Sequence, residues 1–185
     1  MILLRHGETV FNKVYKETRV DPGIVDPGLT DAGRDQAAAA ARCLAAGPDP
    51  VARLVASPYT RALETAEIVA AALGVAVTVD ARVREQAAFS CDTGTPASGL
   101  RQRWPGHALD HLDEVWWHRH DLHGREPEDA VRGRGASFAA AMADAEDRHE
   151  VLVVSHWAFI RVMTGVTLGN AETVRLDPFA NDGGG

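Results

Sequence analysis

The feature that most constrains the fold is the continuous apolar run Val151-Leu152-Val153-Val154, which is bounded by Glu150 and Ser155. A strand that is apolar at every position must be covered on both faces, which is typical of parallel sheets in α/β proteins. Strands are also predicted for the residues before Arg5, for residues 53–56 and 75–79, and near residues 173–176. The chain is therefore predicted to be an α/β protein.

Helices are predicted between these strands. Thr30 is a typical N-cap for a helix that runs to about residue 46, and Ser57 for one that runs to residue 73. Gly47 and Gly74 follow the two ends, where glycine often terminates a helix. Shorter helices are expected at residues 98–104 and 158–164, and a longer helical segment at residues 127–148. Strands that alternate with helices predict a three-layer arrangement around the sheet.

The chain of 185 residues is predicted to form one domain over residues 1–180. Residues 86–125, which are rich in Trp, His and Gly, are expected to form a lid or cap insert. Residues 181–185 are expected to be a disordered tail.

Polar side chains follow four of the predicted strands. Arg5 and His6 come after the first, Arg61 follows the second, Glu85 the third and His156 the fourth. In open α/β sheets, ligands bind outside the carboxyl ends of the strands. These residues are therefore expected to meet at one edge of the sheet.

The chemistry of this set suits phosphoryl transfer. A His that attacks phosphorus must be neutral, and an adjacent Arg both lowers its pKa and binds phosphoryl oxygens. Arg61 lies in the predicted first turn of a helix, where the positive helix end also favours an anion. The pattern predicts transfer through a phosphohistidine.

Five separated motifs occur in a fixed order. Residues 5–9 read Arg-His-Gly-Glu-Thr, residues 57–66 read Ser-Pro-Tyr-Thr-Arg-Ala-Leu-Glu-Thr-Ala, and residues 155–156 read Ser-His. Residues 26–37 read Asp-Pro-Gly-Leu-Thr-Asp-Ala-Gly-Arg-Asp-Gln-Ala, and Glu85 follows the third strand. In this combination the chain, from Ile2 to about Leu176, resembles the histidine phosphatase superfamily, also called phosphoglycerate mutase-like. The resemblance implies a three-layer α/β/α sandwich with a mainly parallel sheet.

The resemblance also implies roles. His6 would be the nucleophile, with Arg5, Arg61 and His156 binding the phosphoryl group and Asn12 as a further phosphate contact. Glu85 would protonate the leaving oxygen and then activate water. This scheme needs no metal and no other cofactor.

Trp157 departs from the family pattern, which usually has Gly after Ser-His. Its bulk either points away from the site or narrows it. It is assigned to substrate binding, where it could stack on a ring-bearing substrate. Packing in the core beneath the helix that follows the fourth strand is the favoured placement.

The residues between Glu85 and the fourth strand are compact, which favours hydrolysis of a small phosphomonoester over mutase activity. Mutases of the family that depend on a bisphosphate cofactor typically carry a larger insert there. A phosphoglycerate mutase is therefore the first alternative. The second is a catalytically silent protein that binds a phosphorylated ligand or a partner protein.

His107 and His111 have the i, i+4 spacing that can hold a metal on one helix face, so a metallohydrolase is also considered. The other interpretation is that the histidines between residues 107 and 123, together with three tryptophans, form a cap that shapes the substrate pocket. Those tryptophans are Trp104, Trp116 and Trp117.

The formal net charge of −7 argues against a nucleic acid partner. The sequence shows neither a membrane-spanning segment nor a signal peptide, so a cytoplasmic location is expected. Cys43 and Cys91 are expected to be free thiols. Lys13, Lys16 and Arg19, which follow the first motif, would favour a substrate with further negative charge if that loop covers the site. The oligomeric state stays open.

Overall fold

The computed structural model describes residues 1–143 and 145–177, which contain one five-stranded sheet in the order β3-β2-β4-β1-β5. The first four strands in this order are parallel, and β5 pairs antiparallel with β1. The mainly parallel sheet is thus confirmed. The strands are β1 (Ile2–Arg5), β2 (Arg53–Ala56), β3 (Val77–Val79), β4 (Val151–Ser155) and β5 (Thr173–Arg175).

Helices connect the strands and cover the sheet. They are α1 (Val10–Thr18), α2 (Asp31–Ala46), α3 (Thr60–Leu73), α4 (Ala97–Arg103), α5 (His120–His123), α6 (Glu128–Met142) and α7 (Trp157–Thr164). Single turns of 3-10 helix occur at Ala81–Val83, Ser90–Asp92 and Arg148–Glu150.

Alternate residues of β4 enter two separate cores. Leu152 and Val154 belong to a core formed with α2 and α3, whereas Val151 and Val153 belong to a core formed with α6 and α7. All four are completely buried. Since successive side chains of a strand point to opposite faces, the helices form one layer on each side of the sheet. This is the predicted three-layer α/β/α sandwich.

Helix α2 has the predicted cap, because the Thr30 hydroxyl accepts the Gly33 N–H at 3.0 Å. The cap predicted for α3 is wrong. That helix begins at Thr60, and the buried carboxylate of Asp26 accepts both the backbone N–H and the hydroxyl of Thr60, at 2.9 and 2.8 Å. An acceptor from a distant loop therefore replaces Ser57, whose hydroxyl contacts His156 instead.

Helix α1 differs from the expectation of a loop around Lys13, Lys16 and Arg19. Its start is fixed by reciprocal bonds between Thr9 and Asn12, in which the Thr9 hydroxyl accepts the Asn12 N–H and the Asn12 side chain accepts the Thr9 N–H. Asn takes here the position where Glu or Gln usually completes such a capping box. Val10, Phe11, Val14 and Tyr15 have the spacing of one helix face, so the sequence does contain a signal for this helix.

The helix expected over residues 127–148 ends at Met142. The tail predicted at residues 181–185 lies outside the described residues. No helix in the described part of the chain is long and apolar enough to cross a membrane.

Candidate active site

Two histidines lie side by side where β1 and β4 end. Arg5 pairs with Ser155 in the parallel register, so the next residues along each strand, His6 and His156, occupy adjacent positions. Their ring centroids are 5.1 Å apart. The sheet topology thus brings together two residues that are far apart in the sequence.

His6 is held as a neutral imidazole with one defined tautomer. Its Nδ1 donates to the carbonyl oxygen of Gly7 at 2.7 Å, which leaves the lone pair on Nε2. Burial, followed by the charges of Arg61 and Arg5, holds the pKa of His6 well below its ordinary value. A buried neutral imidazole with a free lone pair is a competent nucleophile near pH 7.

The loop after β1 crosses the first turn of α2 at very short range, through Gly7 and Gly33. A Cβ on Gly7 would lie 2.3 Å from the Gly33 carbonyl oxygen, and a Cβ on Gly33 would lie 2.1 Å from the Glu8 carbonyl oxygen. Both contacts are with backbone atoms, which cannot rotate away. Glycine at both positions therefore allows the loop that carries His6 to pack directly against the first turn of α2.

Arg5 has a donor that no atom of the described residues accepts. Its Nη1 donates to the Leu168 carbonyl at 2.7 Å, while its buried Nε has no hydrogen-bond partner among the described residues. Buried donors without a partner are rare in native structures. An anion in the pocket would satisfy this donor.

Arg61 is almost completely buried at the second position of α3. Its Nη1 donates to the Cys91 carbonyl, its Nη2 to the Asp92 carboxylate and its Nε to His156 Nδ1, at 2.7, 3.1 and 3.2 Å. A guanidinium has five N–H donors, so two of those on Arg61 are not used in these bonds. Burial acts to lower the pKa of Arg61, but neighbouring groups that include Asp92 raise it, so it stays charged.

Asp92 is a site residue that the sequence reading missed. It pairs with Arg61 through Oδ1, and its Oδ2 accepts the backbone N–H groups of Ala88 and Phe89, both at 3.0 Å. This buried carboxylate thus holds both the Arg61 side chain and the backbone of residues 88 and 89, which lie just before Asp92. A lone Asp inside an irregular segment carries no spacing signal, so only the fold reveals it.

Glu85 is half-buried and lies at the N-terminus of α7. Its Oε1 accepts the backbone N–H groups of Gln86, Ala158 and Phe159, at 2.9, 3.1 and 3.0 Å. Burial raises the pKa of Glu85, and the charge of Asp92 adds to this effect, although Arg61 and the backbone N–H groups oppose it. A carboxyl group with a raised pKa can act as a proton donor.

A buried ionic cluster supports the chain segment that carries Glu85. The Glu126 carboxylate accepts Arg84 Nη2 at 2.8 Å and two nitrogens of Arg134, each at 3.1 Å. Arg134 Nη2 also donates to the Glu85 carbonyl oxygen at 3.1 Å, and Gln86 Nε2 donates to the Glu126 carbonyl at 2.8 Å. Through Arg134, the cluster ties α6 to the carbonyl oxygen of the Glu85–Gln86 peptide.

His156 lies behind the pocket wall, not in it. Its Nδ1 accepts from Arg61 and its Nε2 donates to the Ser57 hydroxyl at 2.8 Å, so both ring nitrogens have protein partners. Burial and the Arg61 charge hold its pKa well below the ordinary value. This neutral ring contacts Arg61 and His6 directly, so it acts on an anion through them in the arrangement seen here.

Asn12 lies in the pocket wall near the start of α1. Its Oδ1 accepts the Thr9 N–H at 3.1 Å and Asn170 Nδ2 at 3.3 Å, which leaves its NH₂ group to donate. Asn170 also donates to the His6 carbonyl at 3.2 Å. Asn12 therefore lines the pocket with an NH₂ group that neither of its Oδ1 bonds uses, and its role as a phosphate contact stays a prediction.

These groups surround a pocket of about 860 Å³. Trp157 lines it with 39% of its surface exposed, so the predicted packing of Trp157 in the core is wrong. Arg19 also lines the pocket, whereas Lys13 and Lys16 are exposed on α1 and do not. The remaining wall is formed by Arg5, His6, Thr9, Phe11, Asn12, Tyr15, Arg61, Glu85, Gln86, Ala88, Phe89, Cys91, Asp92, Arg125, Glu128, Ala158, Arg161 and Thr167.

The predicted cap does not shape this pocket through its tryptophans. Trp104 and Trp116 are buried in the core on the α3 side, with Trp117 packed against it. Only residues near the two ends of segment 86–125 line the pocket. The tryptophans are drawn into the core because this face of the sheet needs apolar cover.

His107 and His111 do not form a pair on one helix face, because α4 ends at Arg103 before them. His107 Nε2 lies 3.4 Å from Glu67, and His111 Nε2 contacts the Val79 carbonyl at 3.0 Å. Among residues 1–143 and 145–177, no group of three or more His, Cys, Asp or Glu side chains is placed to hold a metal ion. Cys43 and Cys91 are free thiols.

Solved structures with a similar fold include several phosphatases. One is a mycobacterial glucosyl-3-phosphoglycerate phosphatase in complex with VO3, which is 25% identical with a TM-score of 0.64 over 94% of this chain and 88% of that chain. Another is the ecdysone phosphate phosphatase of Bombix mori in complex with tungstate, at 18% identity and a TM-score of 0.67 over 93% and 86%. A putative α-ribazole-5′-P phosphatase from Escherichia coli gives 18% identity and a TM-score of 0.58 over 93% and 87%.

No curated protein matches the chain in a comparison of sequences. The family model described as histidine phosphatase superfamily (branch 1) matches residues 1–180. That range includes every described strand and the whole pocket wall. Because the match extends over almost the full chain and the fold agrees with it, the protein belongs to branch 1 of the histidine phosphatase superfamily.

Proposed function

We propose that the protein is a phosphomonoesterase that hydrolyses a small phosphorylated metabolite through a phosphohistidine at His6. The observation that carries the proposal is the state of His6, a neutral buried imidazole whose Nδ1 is bound to Gly7 and which lies in one pocket with Arg5 and Arg61. Phosphoryl transfer places charge on three equatorial oxygens, and fixed cationic donors stabilise that charge.

The first step forms a bond between His6 Nε2 and phosphorus and breaks the bond between phosphorus and the leaving oxygen. Glu85 gives its proton to that oxygen, so the alcohol leaves neutral. Arg5 and Arg61 bind the phosphoryl oxygens, and the Asn12 NH₂ group adds a neutral donor. His156 positions Arg61 through its Nδ1.

In the second step, a water molecule attacks phosphorus and the bond to Nε2 breaks. Glu85, now ionised, takes the proton from the water, which returns both residues to their starting states. Residues 1–180 act in this proposal as one domain, in which segment 86–125 is an insert that forms one wall of the pocket. The compact insert supports water, not a second sugar acid, as the acceptor.

The test is release of phosphate from a panel of phosphomonoesters, with and without EDTA, by the wild-type protein and by His6→Ala. The exposed His123→Ala is the matched control. We expect turnover that resists EDTA, disappears in His6→Ala and is unchanged in His123→Ala. Alkaline quenching during turnover should trap a phosphoprotein that is stable in alkali and is lost on later treatment with acid.

Other outcomes identify the alternatives. Conversion of 3-phosphoglycerate to 2-phosphoglycerate in the presence of its bisphosphate, without release of phosphate, would identify a mutase. Turnover that EDTA abolishes would indicate a metallohydrolase. Absence of turnover in every assay would identify a protein that only binds its ligand.

A further inference from the structure

The pocket has an aromatic wall that the chemistry of phosphoryl transfer does not require. Phe89 and Trp157, which line the pocket, expose 38% and 39% of their surfaces. Large aromatic side chains are normally buried, and an exposed cluster of them usually marks a binding surface. The exposure at this pocket therefore needs a ligand to explain it.

Phe89 belongs to a continuous aromatic cluster. Its ring centroid lies 5.3 Å from that of Tyr15 and 5.9 Å from that of Phe11, and the Phe11 and Tyr15 rings are stacked with centroids 5.6 Å apart. The cluster joins α1 to the loop before Asp92. Because each ring is held by two others, Phe89 presents a fixed surface and loses little entropy when it binds.

Both exposed rings are attached to the frame that holds the phosphoryl site. The backbone N–H of Phe89 is bound by Asp92, which also holds Arg61. Trp157 follows His156 and begins α7, whose backbone N–H groups hold Glu85. The aromatic surfaces are thus kept at set positions relative to the groups that bind and protonate the ester.

Two arginines at the pocket rim each have a polar side-chain partner. Arg125 donates to Gln86 Oε1 at 2.9 Å, Arg161 is paired with Glu128, and the Arg161 guanidinium lies 5.6 Å from the Trp157 ring centroid. Arg19 is the remaining arginine in the wall beyond the phosphoryl site. A guanidinium has five N–H donors, so these arginines keep unused donors, among them the buried Nε of Arg161, which has no partner in the described part of the chain. Tighter binding of 3-phosphoglycerate than of a ring ester would assign the rim to an anionic group instead.

We propose that the aromatic wall binds the alcohol part of the substrate, and that the substrates are phosphomonoesters whose alcohol carries a planar apolar ring. This inference rests on the proposed phosphatase function. The phosphoryl group lies with Arg5, His6 and Arg61, and the ring contacts Phe89 and Trp157. Stacked or edge-to-face contacts with these rings supply selectivity beyond burial of apolar surface.

The test compares substrates whose leaving groups are all primary alcohols, so that leaving-group chemistry is nearly constant. They are 2-phenylethyl phosphate, hexyl phosphate, glycerol 3-phosphate and 3-phosphoglycerate. We expect kcat/KM for 2-phenylethyl phosphate to exceed that for hexyl phosphate about tenfold, which corresponds to ~1.4 kcal/mol. Both open-chain polar esters should be poorer still.

Variants of Phe89 and Trp157 test whether the aromatic wall causes the preference for ring substrates. Phe89→Leu and Trp157→Leu keep an apolar side chain but remove the ring, so each should reduce the ratio of ring to hexyl substrate toward one. Trp157→Phe should retain most of the ratio. Leu122→Ala, at an exposed position outside the pocket, is the control and should keep the wild-type ratio.

A binding measurement separates this inference from the proposed function. His6→Ala cannot form the phosphohistidine, so calorimetric titration with the same esters measures ring preference without turnover. Equal affinity for ring and hexyl esters, or tighter binding of 3-phosphoglycerate, overturns the inference even where the wild type hydrolyses every ester. Ring preference in binding without turnover by the wild type would overturn the phosphatase function and keep the wall as a ligand site.

Discussion

The groups around Glu85 have opposite effects on the pKa of its carboxyl group. Two backbone N–H groups at the N-terminus of α7 and the N–H of Gln86 favour its ionised form, while burial and the nearby Asp92 favour its protonated form. The balance raises its pKa. A group held near this balance can give a proton in one step and take one in the next, which a fully ionised surface carboxylate cannot do.

Glu85→Gln is therefore predicted to slow only substrates that need an acid. The Gln side-chain oxygen can still accept the backbone N–H groups of α7, so the fold should be kept. For alkyl phosphates, whose leaving oxygen needs protonation, kcat should fall about 100-fold or more, whereas for 4-nitrophenyl phosphate it should fall less than about tenfold. Steady-state kinetics on both classes measure the difference.

The pH profile gives an independent check on the same residue. In the wild type, turnover of alkyl phosphates should fall as the pH rises through the raised pKa of Glu85, because the acid form is lost. Glu85→Gln should remove this alkaline limb. Equal losses on good and poor leaving groups, with the limb unchanged, would contradict the role of Glu85 as proton donor.

Asp92 compensates the charge of Arg61 where both side chains are only 3% exposed. Asp92→Asn removes that charge and replaces one carboxylate oxygen by an NH₂ group that cannot accept the N–H of Ala88 or Phe89. Breaking a buried pair from one side costs about 3–5 kcal/mol. We expect a loss of unfolding free energy of this order and a fall in kcat/KM of about 10- to 100-fold.

The matched control is Asp147→Asn. Asp147 pairs with Arg53 at 2.8 Å, but the two side chains are 27% and 37% exposed. Exposed pairs contribute roughly 0–1 kcal/mol. Urea denaturation of both variants measures the difference, and similar small losses in both would show that Arg61 does not depend on Asp92.

At the level of elements, the position of the nucleophile depends on how β1 and α2 cross. Gly33, in the first turn of α2, lies against the backbone of Glu8, so the helix itself supports the loop that holds His6. The Gly7 N–H also donates to the Thr65 hydroxyl on α3, at 3.1 Å. Two helices thus fix one short loop.

Gly33→Ala is predicted to be destabilising and to reduce activity. Its methyl group would lie 2.1 Å from the Glu8 carbonyl oxygen, so the backbone must move. We expect a loss of about 2 kcal/mol or more, by analogy with overpacked cores, and lower kcat. Gly133→Ala in α6 is the control, since nothing lies within 4 Å and Ala is favoured in helices by about 1 kcal/mol.

Thermal unfolding and steady-state kinetics on the two variants measure this contrast. Gly133→Ala should raise Tm and leave kcat unchanged. If Gly33→Ala were as stable and as active as the wild type, the crossing would not determine the position of His6.

The elements that the sequence predicted correctly are those whose signals are local. The run 151–154 predicts a buried strand, and the spacing of Thr30 and Gly47 predicts α2 almost to the residue. The caps of α3 and α7 could not be predicted, because Asp26 and Glu85 reach them from distant parts of the chain. For the site, strand ends predicted that His6, Arg5, Arg61 and Glu85 converge. That other residues use both nitrogens of His156, and that Asp92 holds Arg61, could not be predicted, because these contacts join distant parts of the chain.

At the scale of the whole molecule, the site places several titratable groups inside the protein. His6 and His156 are buried, and the pKa of each is held well below its ordinary value, chiefly by burial and then by Arg61. In the unfolded chain both histidines regain an ordinary pKa near 6.5. The unfolded state therefore binds more protons than the folded state below this pH.

The sign of the effect follows from linkage. Stability rises with pH wherever the unfolded state binds more protons, so the two histidines destabilise the fold progressively as the pH falls below about 6.5. Two protons correspond to a slope of about 2.7 kcal/mol per pH unit. Glu85 has the opposite sign, because its raised pKa lets the folded state keep a proton that the unfolded state loses. Its contribution therefore falls as the pH rises from the ordinary Glu range to its folded pKa.

His6→Asn is predicted to flatten this dependence by about 1.4 kcal/mol per pH unit, since it removes one of the two protons. The free energy of unfolding in urea, measured at steps from pH 5 to pH 7.5, gives the slope for each variant. The exposed His123→Asn is the control and should keep the wild-type slope. A slope in His6→Asn equal to that of the wild type would contradict this prediction, because it would mean that His6 takes up a proton in the folded protein in this pH range.

A protonated His6 has no lone pair on Nε2, so its attack on phosphorus would be suppressed at mildly acidic pH. The stability change reports protonation of the unfolded chain, whereas an acid limb of kcat/KM reports His6 in the folded enzyme. Because burial, Arg61 and Arg5 hold the pKa of folded His6 well below its ordinary value, that limb should lie at lower pH than the stability change.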